Sequence, residues 1–320
     1  KIKWESTVQK DLGLDFSFMR GRLGGTFGYY HKVTDGTLLN MTPAPSSSYS
    51  TVVFNIAKIR NQGLEFDIHG DFIRKKDFRW TGNLNISRNV SKVLDINGGP
   101  FSDPNDRDAM NLGTSVVKEG EPLGLLYGRV ATGIIKTQAQ LEAAREEFSL
   151  WTIFDPYLNL GDIAYEYEDG FWKEDVIGHA TPDFFGGYTN TINWNRFTLT
   201  ALFTFSYGND LIYQKDVSDS GMSSLANRGT RVLNHYSEDN TSSNRPRSMW
   251  ATTYMLSSLN VYDASYLKLK TLSLSYNLPE SICRKVRIKS ASVYGTATNV
   301  FTITSYPGPD PEVSDDPTSV

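Results

Sequence analysis

The side chains best able to do chemistry in this sequence are thinly spread. His31, His69, His179 and His235 lie on four separate segments, without the close spacing by which imidazoles share a zinc ion. The one cysteine, Cys283, has no partner for an internal disulfide and no metal or redox motif around it. No serine stands in the glycine-framed turn of a nucleophile elbow. The sequence therefore reads as a non-enzyme: no catalytic residue, cofactor site or metal site is assigned. What remains is recognition chemistry. Tyr49, Phe101, Trp151, Tyr157, Trp172, Tyr236 and Trp250 fall between the regular segments, where exposed ring faces can stack on sugars. Long loops also bury such rings in small cores of their own, so substrate-contacting residues stay unassigned.

The regular segments have a period of two. In Phe197–Asn209, FTLTALFTFSYGN, one parity holds Phe197, Leu199, Ala201, Phe203, Phe205 and Tyr207, and the other Thr198, Thr200, Leu202, Thr204 and Ser206. Strand side chains alternate between faces, so one face is apolar and aromatic while the other is small, neutral and hydroxyl-lined. About ten residues of that contrast suit lipid outside and a wet lumen inside; Phe203 is expected to meet lipid and Thr204 the lumen. The alternation recurs over Leu12–Phe18, Leu64–His69, Trp80–Ser87 and Phe184–Trp194. Between Leu269 and Leu272 the apolar parity switches, which predicts a bulge or an ambiguous register. Leu23–Leu39 is rich in glycine and tyrosine and alternates only in part.

Connections fall into two length classes that alternate along the chain. Met19–Arg22, Arg74–Asp77, Asn195–Arg196 and Pro279–Arg287 are short; Asn40–Asn55, Ile96–Asp183 and Tyr213–Tyr262 are long. This predicts eight antiparallel strands over 8–18, 23–38, 56–73, 78–95, 184–194, 197–212, 263–277 and 288–304. Tight periplasmic turns and long external loops are the habit of outer-membrane barrels, which would put 96–183 and 213–262 outside the cell. Within the first of these, Thr137–Phe148 reads as a surface helix with Thr137 as its N-cap.

Composition agrees. Aromatic residues are 12% of the chain, with 17 Tyr and 17 Phe, enough for interfacial girdles. No run approaches the ~18 apolar residues of a spanning helix. A mean hydropathy of −0.37 is compatible with a wall in which alternate residues meet lipid. With 32 Lys and Arg against 36 Asp and Glu, and no basic cluster along the sequence, nucleic acid is not expected as a partner. The opening KIKWESTVQKDLGLDF lacks the apolar core of a signal peptide, so the chain is expected either to have lost a targeting segment or to begin within a longer protein.

Several stretches closely resemble the C-terminal barrel region of SusC/RagA-type TonB-dependent (TonB-linked) outer-membrane transporters. They are KIKWESTVQKDLGLDFSFMRGRLGGTFGYYHKVTDGTLLN, NIAKIRNQGLEFDI, TPDFFGGYTNTINWNRFTLTALFTFSYGND, NRPRS and, most specifically, YDASYLKLKTLSLSYNLPESICRKVRIKSASVYGTATNVFTITSYPGPDPEV. The resemblance implies an all-β transmembrane antiparallel barrel, to which residues 1–320 give about eight of roughly 22 strands. It also implies a plug domain and a final strand outside this chain. The implied setting is the outer membrane of a Gram-negative, Bacteroidetes-type bacterium. The implied work is TonB-energised import of oligosaccharides or peptides beside a SusD-like surface lipoprotein, with the contact to TonB made by the N-terminal part. An eight-strand arc has two edges that lipid cannot satisfy, so it is expected to need the rest of its barrel.

Family members carry an aspartate-rich, calcium-loop-like sequence about where Gly161–Gly178 falls. With Gly170 at the sixth loop position, Tyr165, Tyr167 and Asp169 take the first, third and fifth and Val176 the twelfth, where oxygen ligands are needed. Only Asp169 qualifies, and no calcium is assigned. Two further classes stay open here, a passive porin and a soluble β-sandwich carbohydrate-binding module. The sorted loop lengths count against the sandwich, and a plug with a TonB-contacting segment would count against the porin.

Overall fold

The computed structural model describes residues 3–41, 52–96, 109–147, 158–168, 171–220, 227–248 and 255–312. The chain opens with β1 (Ser6–Phe18), β2 (Leu23–Met41), β3 (Val52–Arg74) and β4 (Phe78–Asp95). A long connection then holds β5 (Ala109–Asn111), β6 (Ser115–Lys118), β7 (Leu125–Arg129), β8 (Ala131–Ile134), α1 (Gln138–Glu147), β9 (Ile163–Tyr165), β10 (Tyr167–Glu168), β11 (Phe171–Trp172) and β12 (Glu174–His179). The chain returns with β13 (Phe184–Trp194) and β14 (Phe197–Tyr207), passes β15 (Asp210–Ile212), α2 (Gln214–Ser220) and β16 (Val261–Asp263), and continues through β17 (Tyr266–Asn277), α3 (Glu280–Lys285) and β18 (Ser292–Thr304). One sheet of eight strands, in the order β1-β2-β3-β4-β13-β14-β17-β18, forms a wall in which each neighbour is antiparallel.

The register shows why the wall has two unlike faces. One row of paired residues crosses it as Leu14, Phe27, Phe66, Ile86, Gly186, Phe205, Leu267 and Ile303. The adjacent row reads Asp15, Thr26, Asp67, Asn85, Gly187, Thr204, Lys268 and Thr302. Because side chains alternate, the first row lies on the apolar face and the second on the polar face. The apolar face is not covered: Leu14, Phe197 and Ile303 are 62%, 41% and 63% exposed. Its glycines leave room for rings. A Cβ at Gly186 would meet the Phe205 ring at 2.8 Å and clash with the Asn85 carbonyl.

Aromatic residues close both ends of this belt. Phe197 lies 4.7 Å from Tyr276 and 6.3 Å from Trp194 at the short-turn end; Phe184 and Tyr207 are 5.2 Å apart at the other. Ten residue steps separate Phe184 from Trp194. At ~3.4 Å per step and a tilt of ~45° they span roughly 25 Å, the height of an outer-membrane apolar band.

The eight expected strands are present, with boundaries moved for local reasons. β2 and β3 run beyond 38 and start before 56, so their hairpin extends past the belt at the long-connection end. The expected 197–212 strand breaks at Gly208 (φ +87), after which β15 pairs with β16 instead. The last short connection is longer than Pro279–Arg287: it holds α3, buries Cys283, and delays β18 to Ser292. The expected bulge is present, with register shifts between Leu202 and Phe203 and between Leu269 and Thr271.

Candidate functional site

The polar face carries its densest chemistry beside the bulge. Lys268, fully buried, donates to both oxygens of Asp310 at 2.8 Å and to Glu312 at 2.9 Å. Glu312 also accepts from Lys270 at 3.1 Å, and from the Thr204 and Tyr266 hydroxyls at 3.3 Å each. Lys268 and Lys270 stand two residues apart in β17, so both reach the polar face and share one acid. The segment after β18 thus turns back onto the polar face as an acidic finger. The Lys268 hydrogen bond holds the Asp310 carboxyl below its ordinary range. Partial burial pushes Glu312 up, but hydrogen bonds from Lys268 and Lys270 outweigh it and lower its pKa. Against the finger lies a cavity of about 490 Å³ whose lining includes Phe185, Ser206, Asn209, Tyr266, Lys270 and Glu312. Nearer the short turns, Arg79 grips both oxygens of Asp71 beside a cavity of about 330 Å³ that includes His69, Asn83, Thr189 and Thr191.

At the opposite end the long connections build a folded body. β12, β7, β6 and β5 form a four-stranded sheet, and Val93 and Ile96 at the end of β4 pack on Met110 and Val117. Residues from both connections join: Ile134, Ile163 and Tyr236 share a buried cluster, and Arg247 donates to the buried Asp162 at 2.7 Å. Arg129 stacks on Trp172 at 3.9 Å and nears the Tyr165 ring at 5.9 Å. Burial lifts the Tyr165 phenol to about 12, against the opposing pull of Arg129.

The sequence candidates now have places. Tyr236 is core and Trp172 is a stacking partner of Arg129, so neither presents a bare ring; Tyr49, Phe101, Trp151, Tyr157 and Trp250 lie outside the described residues. Within 161–178, Asp162 is engaged by Arg247, Tyr165 and Tyr167 lie in β9 and β10, and Asp169 and Gly170 are outside the described residues. Among the described residues no three His, Cys, Asp or Glu groups come together as a metal would need. Thr137 accepts from the Gln140 amide at the start of α1, as its N-cap role requires. Sequence reasoning missed the Lys268–Asp310–Glu312 cluster, whose signal was a lysine on the hydroxyl-lined parity of a bulged strand. The polar face offers donors, acceptors and ion pairs.

No protein-family model matches the chain. Among curated proteins it is 33% identical over 319 residues to TonB-dependent receptor P3 of Formosa agariphila, covering 98% of this chain and 31% of that protein. It is 26% identical over 333 residues to TonB-dependent receptor SusC of Bacteroides thetaiotaomicron, covering 98% and 30%. Among solved structures, a chain of the RagAB peptide transporter superposes with a TM-score of 0.74 at 23% identity, covering 96% of this chain and 33% of that one. The chain spans about a third of the length of the curated relatives it matches.

Proposed function

We propose that this chain, which belongs to the SusC-type TonB-dependent receptors of the Gram-negative outer membrane across 98% of its length, lines the import path of a larger barrel. The apolar belt faces lipid, the polar face borders the lumen, and β1 and β18 pair with further strands of the whole protein. The long connections 96–183 and 213–262 are external, and the short turns are periplasmic. The cargo is an oligosaccharide or peptide too large for passive pores. A SusD-like lipoprotein seats on the external body, and a plug elsewhere in the protein couples release to TonB. The observation that carries this reading is the pair of adjacent rows across eight strands, one apolar and one polar, in a chain with these relatives.

Two measurements test it. With Cys283 replaced by serine, Asp239→Cys on the external body is expected to react with an impermeant thiol reagent on intact cells, and Lys76→Cys in a short turn to stay unlabelled. The reverse pattern inverts the topology. Uptake of cargo by the complete protein is expected to vanish in cells lacking TonB; unchanged uptake replaces this reading with a passive porin.

A further inference from the structure

The wall is charged unequally at its two ends. The four short connections, 19–22, 75–77, 195–196 and 278–291, carry nine Lys and Arg against two acids. The long connections 42–51, 96–183 and 208–265 carry 11 Lys and Arg against 22 Asp and Glu. The densest part is Arg284–Lys289, four cations in six residues, and the antiparallel topology gathers it with three further turns onto one rim. Lys75, Lys76, Arg196, Lys285, Arg287 and Lys289 make no ion pair among the described residues, and the Arg284–Glu280 pair is about 80% exposed on both partners.

Apolar side chains stand among these cations. Around α3, Ile282, Val286 and Ile288 are 47%, 61% and 45% exposed, and in the first turn Met19 is 72% exposed. The rim continues directly from the aromatic girdle of Trp194, Phe197 and Tyr276. Cations interleaved with exposed apolar groups at the edge of a lipid belt match an anionic headgroup layer, apolar tips entering the acyl boundary and charges staying at the phosphates. A protein partner would not require continuity with the girdle.

We propose that the short-turn rim, centred on 278–291, is a binding surface for anionic glycerophospholipid headgroups of the leaflet that borders it. The proposal rests on the topology given above, and it is independent of cargo and TonB. The test is native mass spectrometry of the complete receptor in detergent, titrated with phosphatidylglycerol, phosphatidylcholine or lipopolysaccharide. Wild type is expected to retain phosphatidylglycerol preferentially. The combined variant Arg284→Gln, Lys285→Gln, Arg287→Gln, Lys289→Gln is expected to lose about tenfold in that retention, with phosphatidylcholine unchanged. Arginine at both lysine positions alone is expected to keep binding. Should the fourfold variant lose its heat-resistant barrel, Lys75→Gln with Lys76→Gln, in a tight turn, reads the same effect more weakly. Equal phosphatidylglycerol retention by folded variants and wild type overturns the proposal. Preference for lipopolysaccharide overturns it too, and the thiol-labelling experiment reports separately whether the topology is at fault.

Discussion

The strand wall and the folded body of the long connections solve opposite problems with one alphabet. In the wall, large apolar residues stand outward and half exposed, and the backbone ladder with lipid holds the shape. In the body, apolar residues turn inward into small clusters such as Ile134, Ile163 and Tyr236, and ion pairs such as Arg247–Asp162 tie distant segments together. The wall is therefore tolerant on its polar face and intolerant of charge on its apolar face. The body depends on a few specific pairs.

The largest effect is expected where the body has least redundancy. Asp162 is buried and pairs with an arginine 85 residues away, so Asp162→Ala leaves Arg247 short of its counter-charge. Breaking a buried pair costs about 3 kcal/mol, enough to loosen the body while the wall survives. Limited proteolysis is expected to cut within 96–183 and 213–262 in this variant, with heat-resistant barrel migration retained. Equal loss of both would merge the two regions into one cooperative unit.

Next comes the wall. An arginine at a lipid-facing midplane position costs roughly 2–4 kcal/mol, whereas lumen positions are permissive. Phe203→Arg is expected to reduce assembly and heat resistance far more than Thr200→Arg, three residues away on the polar face. Thr204 is less suitable as the neutral control because its hydroxyl serves Glu312. A smaller effect is expected at Asn190, a polar residue on the apolar face whose Oδ1 accepts from the Trp80 indole at 2.6 Å and the Tyr188 hydroxyl at 3.2 Å. Asn190→Leu strands both donors against lipid, a loss of about 1–3 kcal/mol, read as a lower unfolding temperature of the assembled barrel. If Asn190→Leu were the more stable protein, the belt would be uniformly apolar in its demands.

How far each region could be read from sequence follows from the range of the interactions that specify it. Alternation acts between nearest neighbours, so Phe197–Tyr207 announced both its strand and its faces, and the parity switch announced the bulge. The short β5–β12 strands have no such signature, because two to six residues cannot establish a period and their partners lie far along the chain. α3 stayed hidden behind a turn-like Pro279, and the basic rim stayed hidden because its charges come from four turns that only the sheet brings together. Asp310 and Glu312 carry no signal in the sequence, because their pairing depends on the chain turning back onto Lys268.

That acidic finger crosses between the two regions, and it supplies the mildest prediction. Asp310 and Glu312 both titrate below the ordinary carboxylate range. A carboxylate with a lowered folded pKa contributes fully above its unfolded value and loses that contribution as pH falls through the folded one. The finger is therefore expected to stay seated at neutral and mildly acidic pH and to release only under stronger acid. Hydrogen exchange of 305–312 in the whole protein reads this directly: protection near pH 7 is expected to persist through the ordinary carboxylate range and fall below it. Glu312→Gln keeps a neutral acceptor for Thr204 and Tyr266 but removes the charge shared by Lys268 and Lys270. It is expected to leave Asp310 on Lys268 and, because that pair persists, to weaken protection only in part, by about 1 kcal/mol. Full loss of protection in Glu312→Gln would mean that Glu312 alone seats the finger, and an unchanged value would hand that role to Asp310.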